Sequence, residues 1–129
     1  VATYLTDDEL SRLERMTGEA HKPENLRMLT EADLDDHAFM ARVKDVYGEA
    51  PLDADGTANA DYTLTVDLYK AASYAWHQKA GVYAEQFDFE ADGGKFTRSQ
   101  GYHMAIAQAK RYADMASGWA PVDMGVEAV

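Results

Sequence analysis

Cysteine is absent from this chain of 129 residues, so neither disulfides nor thiolate metal sites are available to it. No apolar run approaches the roughly 18 residues that a membrane span requires, so no membrane partner is expected. The first residues, Val-Ala-Thr-Tyr-Leu-Thr-Asp-Asp-Glu, lack the basic and apolar regions of a signal peptide. No Gly-x-Ser-x-Gly, phosphate-binding loop or dinucleotide fingerprint occurs, and nothing favours an enzyme or a cofactor. Basic residues are scarce: 12 Lys and Arg stand against 23 Asp and Glu, a net charge of −11. Residues 1–61 hold 15 acids against 6 bases, whereas residues 62–129 hold 8 against 6. Such a balance repels phosphate and argues against an electrostatic grip on DNA. It reads either as a solvated surface that aids solubility or as one that passes nucleic acid without adhering.

What is present suits one helical domain. The chain is 47% hydrophobic and 11% aromatic, enough for one modest core. Thr6-Asp-Asp-Glu9 is a capping box opening a helix over about 7–17, with Gly18 as its stop. Thr30 to Asp33 opens a second, expected to reach Tyr47 with Gly48 as terminator. Residues 48–60 read as a loop punctuated by Pro51 and Gly56. The strongest amphipathic pattern spans about 62–86, through Leu64, Leu68, Ala71, Ala72, Ala75, Trp76, Lys79, Ala80 and Tyr83. A compact turn over 87–96, with a very short hairpin, follows around Asp92-Gly93-Gly94. Thr97-Arg-Ser-Gln100 reads as a second capping box, opening a helix over about 97–116 with a stripe at Tyr102, Ala105, Ile106, Ala109, Tyr112, Ala113 and Ala116. The expected fold is an all-α bundle: two long antiparallel helices, two shorter N-terminal helices and an extended C-terminal tail. Residues 1–117 form the domain and 118–129 the tail.

The candidate chemistry is thin. Asp88-x-Glu90-x-Asp92-Gly93 begins like a calcium loop, but the twelfth position, which needs a bidentate acid, is Ser99. It reads as a solvated acidic turn. No two of His21, His37, His77 and His103 lie four residues apart, so no helical pair is spaced to clamp a metal. Asp33, Asp35 and Asp36 point in different directions on a helix. Trp119, in an irregular tail with Pro121, Val122 and Met124, has two readings: it folds back on its own core, or it docks on a neighbour.

One stretch carries a resemblance. Trp76-x-x-Lys79-Ala80, then Phe87-Asp88-Phe89, then Asp92-Gly93-Gly94-x-Phe96-x-Arg98-Ser99-Gln100, is similar to the head–tail connector (adaptor) proteins of tailed bacteriophages. It covers roughly residues 62–117. The resemblance implies a non-enzymatic virion protein, made in the host cytoplasm and placed at the virion neck. There it forms a ring, twelve-fold in such virions, between the portal protein and the stopper or tail proteins. DNA passes through the ring without sequence-specific binding. It further implies that Trp119, Pro121, Val122 and Met124 belong to a portal-docking tail. Asp88, Glu90, Asp92 and Arg98 become candidate subunit contacts. The alternatives are a stopper or tail-completion ring protein, a calcium- or metal-responsive helical regulator, and a stand-alone helical interaction module.

Within the motif, Trp76 and Phe87 are expected to lock the two long helices together, and Phe89 and Phe96 to close the turn. Phe96→Ala should therefore lower the melting temperature, whereas Arg98→Ala should leave it unchanged and impair assembly read by light scattering. Equal thermal losses would remove the distinction.

Overall fold

The structure, a computed structural model, describes residues 2–89 and 93–119, without the side chains of 24, 86–89, 93–99 and 117–119. The described residues form four α-helices: α1 (Asp7–Met16), α2 (Glu31–Met40), α3 (Leu68–Phe89) and α4 (Gly93–Trp119), with a 3-10 turn at Glu24–Leu26. Among the described residues there is no strand, only two isolated antiparallel bridges, Arg42 with Val66 and Leu52 with Ala58. None of the described helices is long and apolar enough to cross a membrane.

Both N-terminal helices begin where their caps predict. Thr6 Oγ1 accepts from Glu9 N at 3.1 Å while the Glu9 carboxylate accepts from Thr6 N at 3.0 Å. Thr30 and Asp33 repeat the arrangement at 3.1 and 2.9 Å. Each box satisfies two amides that the helix itself leaves unpaired.

The helix α3 is the spine of the molecule. One side packs on α1 and α2 through Leu13, Leu29, Leu34, Ala38, Leu68, Ala71, Ala72 and Ala75, all buried. The other side packs on α4, where Trp76 and Ala80 meet Ala105 and Ala109 beneath Tyr83, Tyr102 and Tyr112. Small residues set the α3–α4 spacing. A Cβ at Gly101 would stand only 2.7 Å from the Tyr83 ring, so that crossing has no room for alanine. Buried Ser73 adds a polar stitch, its hydroxyl donating to Ala109 O at 2.9 Å.

Several expected boundaries move. The second helix ends at Met40 rather than Tyr47, because residues 41–43 pair with 65–67 instead. Val43 N donates to Thr65 O at 3.0 Å and Asp67 N to Ala41 O at 3.1 Å. β-Branched Val43, Thr65 and Val66 suit this extended pairing better than a helix. The third helix accordingly starts at Leu68, not 62. Asp67 caps it, Oδ1 accepting from Tyr69 N and Lys70 N at 3.0 and 3.3 Å. The turn expected over 87–96 is mostly helix: α3 runs through Phe89 and α4 begins at Gly93, before the supposed cap at Thr97. The fourth helix continues through Gly118 to Trp119, beyond the expected end near Ala116, and 90–92 and 120–129 lie outside the described residues. Ile106, placed on the buried stripe by its spacing, is 36% exposed.

The connection between α2 and α3 is organised by one carboxylate. Asp45 is buried; its Oδ1 accepts from Tyr47 N and Glu49 N, both at 2.9 Å, and its Oδ2 from Thr63 N at 2.8 Å. Gly48, at φ +81°, closes this turn rather than terminating a helix. The Tyr62 hydroxyl ties the pairing by donating to Val43 O at 2.7 Å and accepting from Thr65 N at 3.1 Å.

The Thr63 amide, helped by those of Glu49 and Tyr47 and opposed by burial, holds the Asp45 carboxyl below its ordinary value of 3.8. The folded state thus binds this proton less readily than the unfolded chain does. Its contribution is full above about pH 4 and is lost as pH falls through the lower folded-state value. In thermal melts, Asp45→Asn should be less stable than the parent at neutral pH, with the gap narrowing as the medium is acidified below about pH 4. A gap constant with pH would remove Asp45 from the acid response.

Candidate functional site

Of the residues singled out in the sequence, the structure brings Trp76 and Lys79 together at one place, the C-terminus of α1. That terminus closes in a left-handed turn, with Gly18 at φ +77°. Glu19 N donates to Glu14 O at 2.8 Å and Gly18 N to Arg15 O at 3.3 Å, satisfying two of the last carbonyls. The Thr17 hydroxyl serves Leu13 O at 2.8 Å. Two carbonyls remain, and α3 supplies both donors: Trp76 Nε1 reaches Met16 O at 3.1 Å and Lys79 Nζ reaches Thr17 O at 2.6 Å. Three residues apart, Trp76 and Lys79 share one face of α3 and grip the same helix end.

The Lys79 ammonium is nearly sealed from solvent. Its side chain is 4% exposed and that of its ion-pair partner Glu19 is 0% exposed, with Nζ 2.9 Å from Oε2. Nζ also lies 4.3 Å from the centre of the Trp76 ring. The negative end of the α1 dipole adds to this field. Burial pushes the ammonium below its ordinary value of 10.5, and the Glu19 carboxylate pulls it back up. Glu19 is held in turn, Oε1 accepting from Met28 N at 3.2 Å. Every one of these partners is a protein group that ties one segment of the chain to another.

The rest of the motif is not brought to this place. Gln100 is exposed on α4. Phe87, Asp88, Phe89, Phe96, Arg98 and Ser99 lie on helical backbone, but their side chains fall outside the described set, as do Glu90 and Asp92 altogether. The predicted lock of Phe87 and the subunit contacts of Asp88, Glu90, Asp92 and Arg98 therefore fall there too. So does the tail role of Trp119, Pro121, Val122 and Met124. Glu19 and Met28 were not legible as partners of Lys79. The available hint was a lysine set within the alanine stripe of α3.

The Asp33, Asp35 and Asp36 group disperses. Asp33 caps α2, Asp35 accepts from Thr3 N and Tyr4 N at 2.9 and 2.7 Å, and Asp36 is exposed. His37 Nε2 lies 2.6 Å from Gln78 Oε1, joining α2 to α3. Among the described residues no group of three or more His, Asp or Glu side chains is placed to hold a metal ion.

Two surface features are left. Large apolar side chains around the α2–α3 connection stand in water, with Val46 86% and Tyr47 78% exposed, and Met40, Leu52 and Leu64 near or above half. Separately, an open groove of about 580 Å³ runs between α1, the start of α3 and the end of α4. Met16, Val66, Leu68, Tyr112 and Met115 contribute its apolar surface, and Arg12, Arg15 and Arg111 also line it. Tyr69 and Tyr112 stack within it, 6.3 Å between centroids and 18° from parallel.

No protein-family model, curated protein or solved structure matches the chain.

Removing Lys79 alone would strand the Glu19 carboxylate in an apolar interior. Lys79→Met should cost about 3–5 kcal/mol in urea unfolding, and adding Glu19→Gln should restore a large part of it. If the double variant is as unstable as the single one, the ion pair is not what the ammonium supplies.

Proposed function

We propose that this chain is a structural assembly subunit, a head–tail connector (adaptor) of a tailed-phage virion, forming a ring between portal and tail. The observation that carries the assembly role is the set of large apolar side chains exposed around residues 40–64, headed by Val46 and Tyr47. Large apolar side chains held in water along one connection are available for contact with a partner. Here it sits on a turn made rigid by Asp45 and Tyr62, so presenting it costs little ordering.

The connector reading adds to this the likeness of Trp76-x-x-Lys79-Ala80 and of the segment from Phe87 to Gln100 to that family's motifs. A ring subunit needs two different lateral surfaces that close head to tail. The apolar connection is one surface of that kind. A net charge of −11 suits a channel through which DNA slides without adhering. The polar contacts of Trp76 and Lys79 join helices within one subunit, so the motif serves the fold on which the contact surfaces are mounted.

Mass photometry and negative-stain imaging of the chain, alone and co-expressed with a portal protein, test the reading. Closed rings, alone or on the portal, are expected. Val46→Glu with Tyr47→Glu should abolish them while leaving the melting temperature within about 0.5 kcal/mol-equivalent of the parent, as for surface changes. Particles of monomer mass under both conditions would overturn the proposal.

A further inference from the structure

The groove between α1 and α4 is charged against the run of the molecule. The chain has 23 acids against 12 bases, yet three of its arginines, Arg12, Arg15 and Arg111, line this one depression. The two acids that also line it are already engaged. Glu9 accepts from Thr6 N and Asp67 from Tyr69 N and Lys70 N. Among the described residues none of the three guanidinium groups has a carboxylate partner; Arg111 rests 6.0 Å from the centre of the Tyr112 ring. A groove with apolar walls and unpaired cations fits a segment that alternates apolar and acidic side chains.

The chain carries one such segment. In Ala120-Pro-Val-Asp-Met-Gly-Val-Glu-Ala-Val129, Val122, Met124 and Val126 alternate with Asp123, Gly125 and Glu127. A period of two puts the three apolar residues on one side of an extended chain and both acids on the other. Pro121 and Gly125 disfavour a continuation of α4 through this stretch. The positions match as well. Arg111, Tyr112 and Met115 belong to the last turns of α4, and Trp119 lies about 10 Å along the helix from Tyr112. Ten extended residues reach about 33 Å, enough to turn back along the groove.

We infer that residues 120–129 dock as an extended strap in the groove of their own chain, Val122, Met124 and Val126 against its apolar wall and Asp123 and Glu127 against Arg12, Arg15 and Arg111. Tethering favours the chain's own groove over a neighbour's, because a short link sets an effective concentration in about the millimolar range. The inference goes beyond the connector reading and does not rest on it. Where the same tail serves as a portal-docking arm, the groove stores it, and a portal has to displace it.

The lack of cysteine makes the test direct. In the chain of residues 1–129, Met16→Cys with Met124→Cys should form an intrachain disulfide under mild oxidant, read by intact mass and by non-reducing gel. Leu26→Cys, outside the groove, with Met124→Cys should do so at least about tenfold more slowly, the ratio set by effective concentration. Reversing Arg12, Arg15 and Arg111 to Glu in the first pair should slow it by about tenfold, and salt should slow it likewise. Melting curves confirm that each variant is folded. Equal rates at positions 16 and 26, no disulfide at either, or disulfides only between chains would each overturn the intrachain strap. None of these readings depends on whether rings form.

Discussion

A buried ammonium group at the end of the first helix decides how the N-terminal half sits on α3. Lys79 is too deep to be hydrated, so its charge has to be met inside the protein by Glu19, by Thr17 O and by the face of Trp76. Each demand removes a freedom. The carbonyl contact holds the last turn of α1 against one turn of α3. The carboxylate contact draws in the loop after Gly18, and through Met28 N it holds the approach to α2. Trp76, one turn earlier, completes the same helix end with its indole N–H and also packs against α4. Apolar packing alone would allow α1 to slide along an alanine-rich helix. Directional hydrogen bonds to two named carbonyls do not.

This arrangement divides the molecule into a frame and two surface features mounted on it. The frame is α3 with α1 and α2 on one side and α4 on the other. The surfaces are the apolar connection around Val46 and Tyr47 and the groove bearing three arginines. Neither contains a constellation of side chains suited to proton transfer or nucleophilic attack. The proposed assembly role rests on the first of these surfaces, the exposed apolar side chains of the connection.

The legible parts of the fold were those set by local chemistry. Both capping boxes at the N-terminal helices act as their residues imply, because a cap needs only four consecutive residues. The apolar face of α3 at Ala71, Ala72, Ala75, Trp76 and Ala80 is buried as its spacing requires. The box read at Thr97 failed because helix was already possible upstream: Gly93 and Gly94 are weak helix formers, yet α4 includes them. Residues 41–47 and 62–67 misled for a related reason. Their helical periodicity was real, but β-branched residues and two polar anchors, Asp45 and Tyr62, favour a paired connection whose two halves lie about twenty residues apart. Glu19 carried no local signal at all, since its role depends on Lys79, sixty residues later.

The amino-acid sequence by itself determined the all-α class, the starts of α1 and α2, the buried stripe of α3, and a net charge of −11. These follow from composition and from contacts within a turn or two of helix, where neighbours along the chain are neighbours in space. The tertiary structure decided that Lys79 is buried rather than solvated, that Val46 and Tyr47 face water rather than a core, and that Arg12, Arg15 and Arg111 meet in one groove. Those outcomes depend on which distant segments share a surface. A charge or an apolar side chain takes its meaning from what lies across from it, and that partner is chosen only when the helices pack.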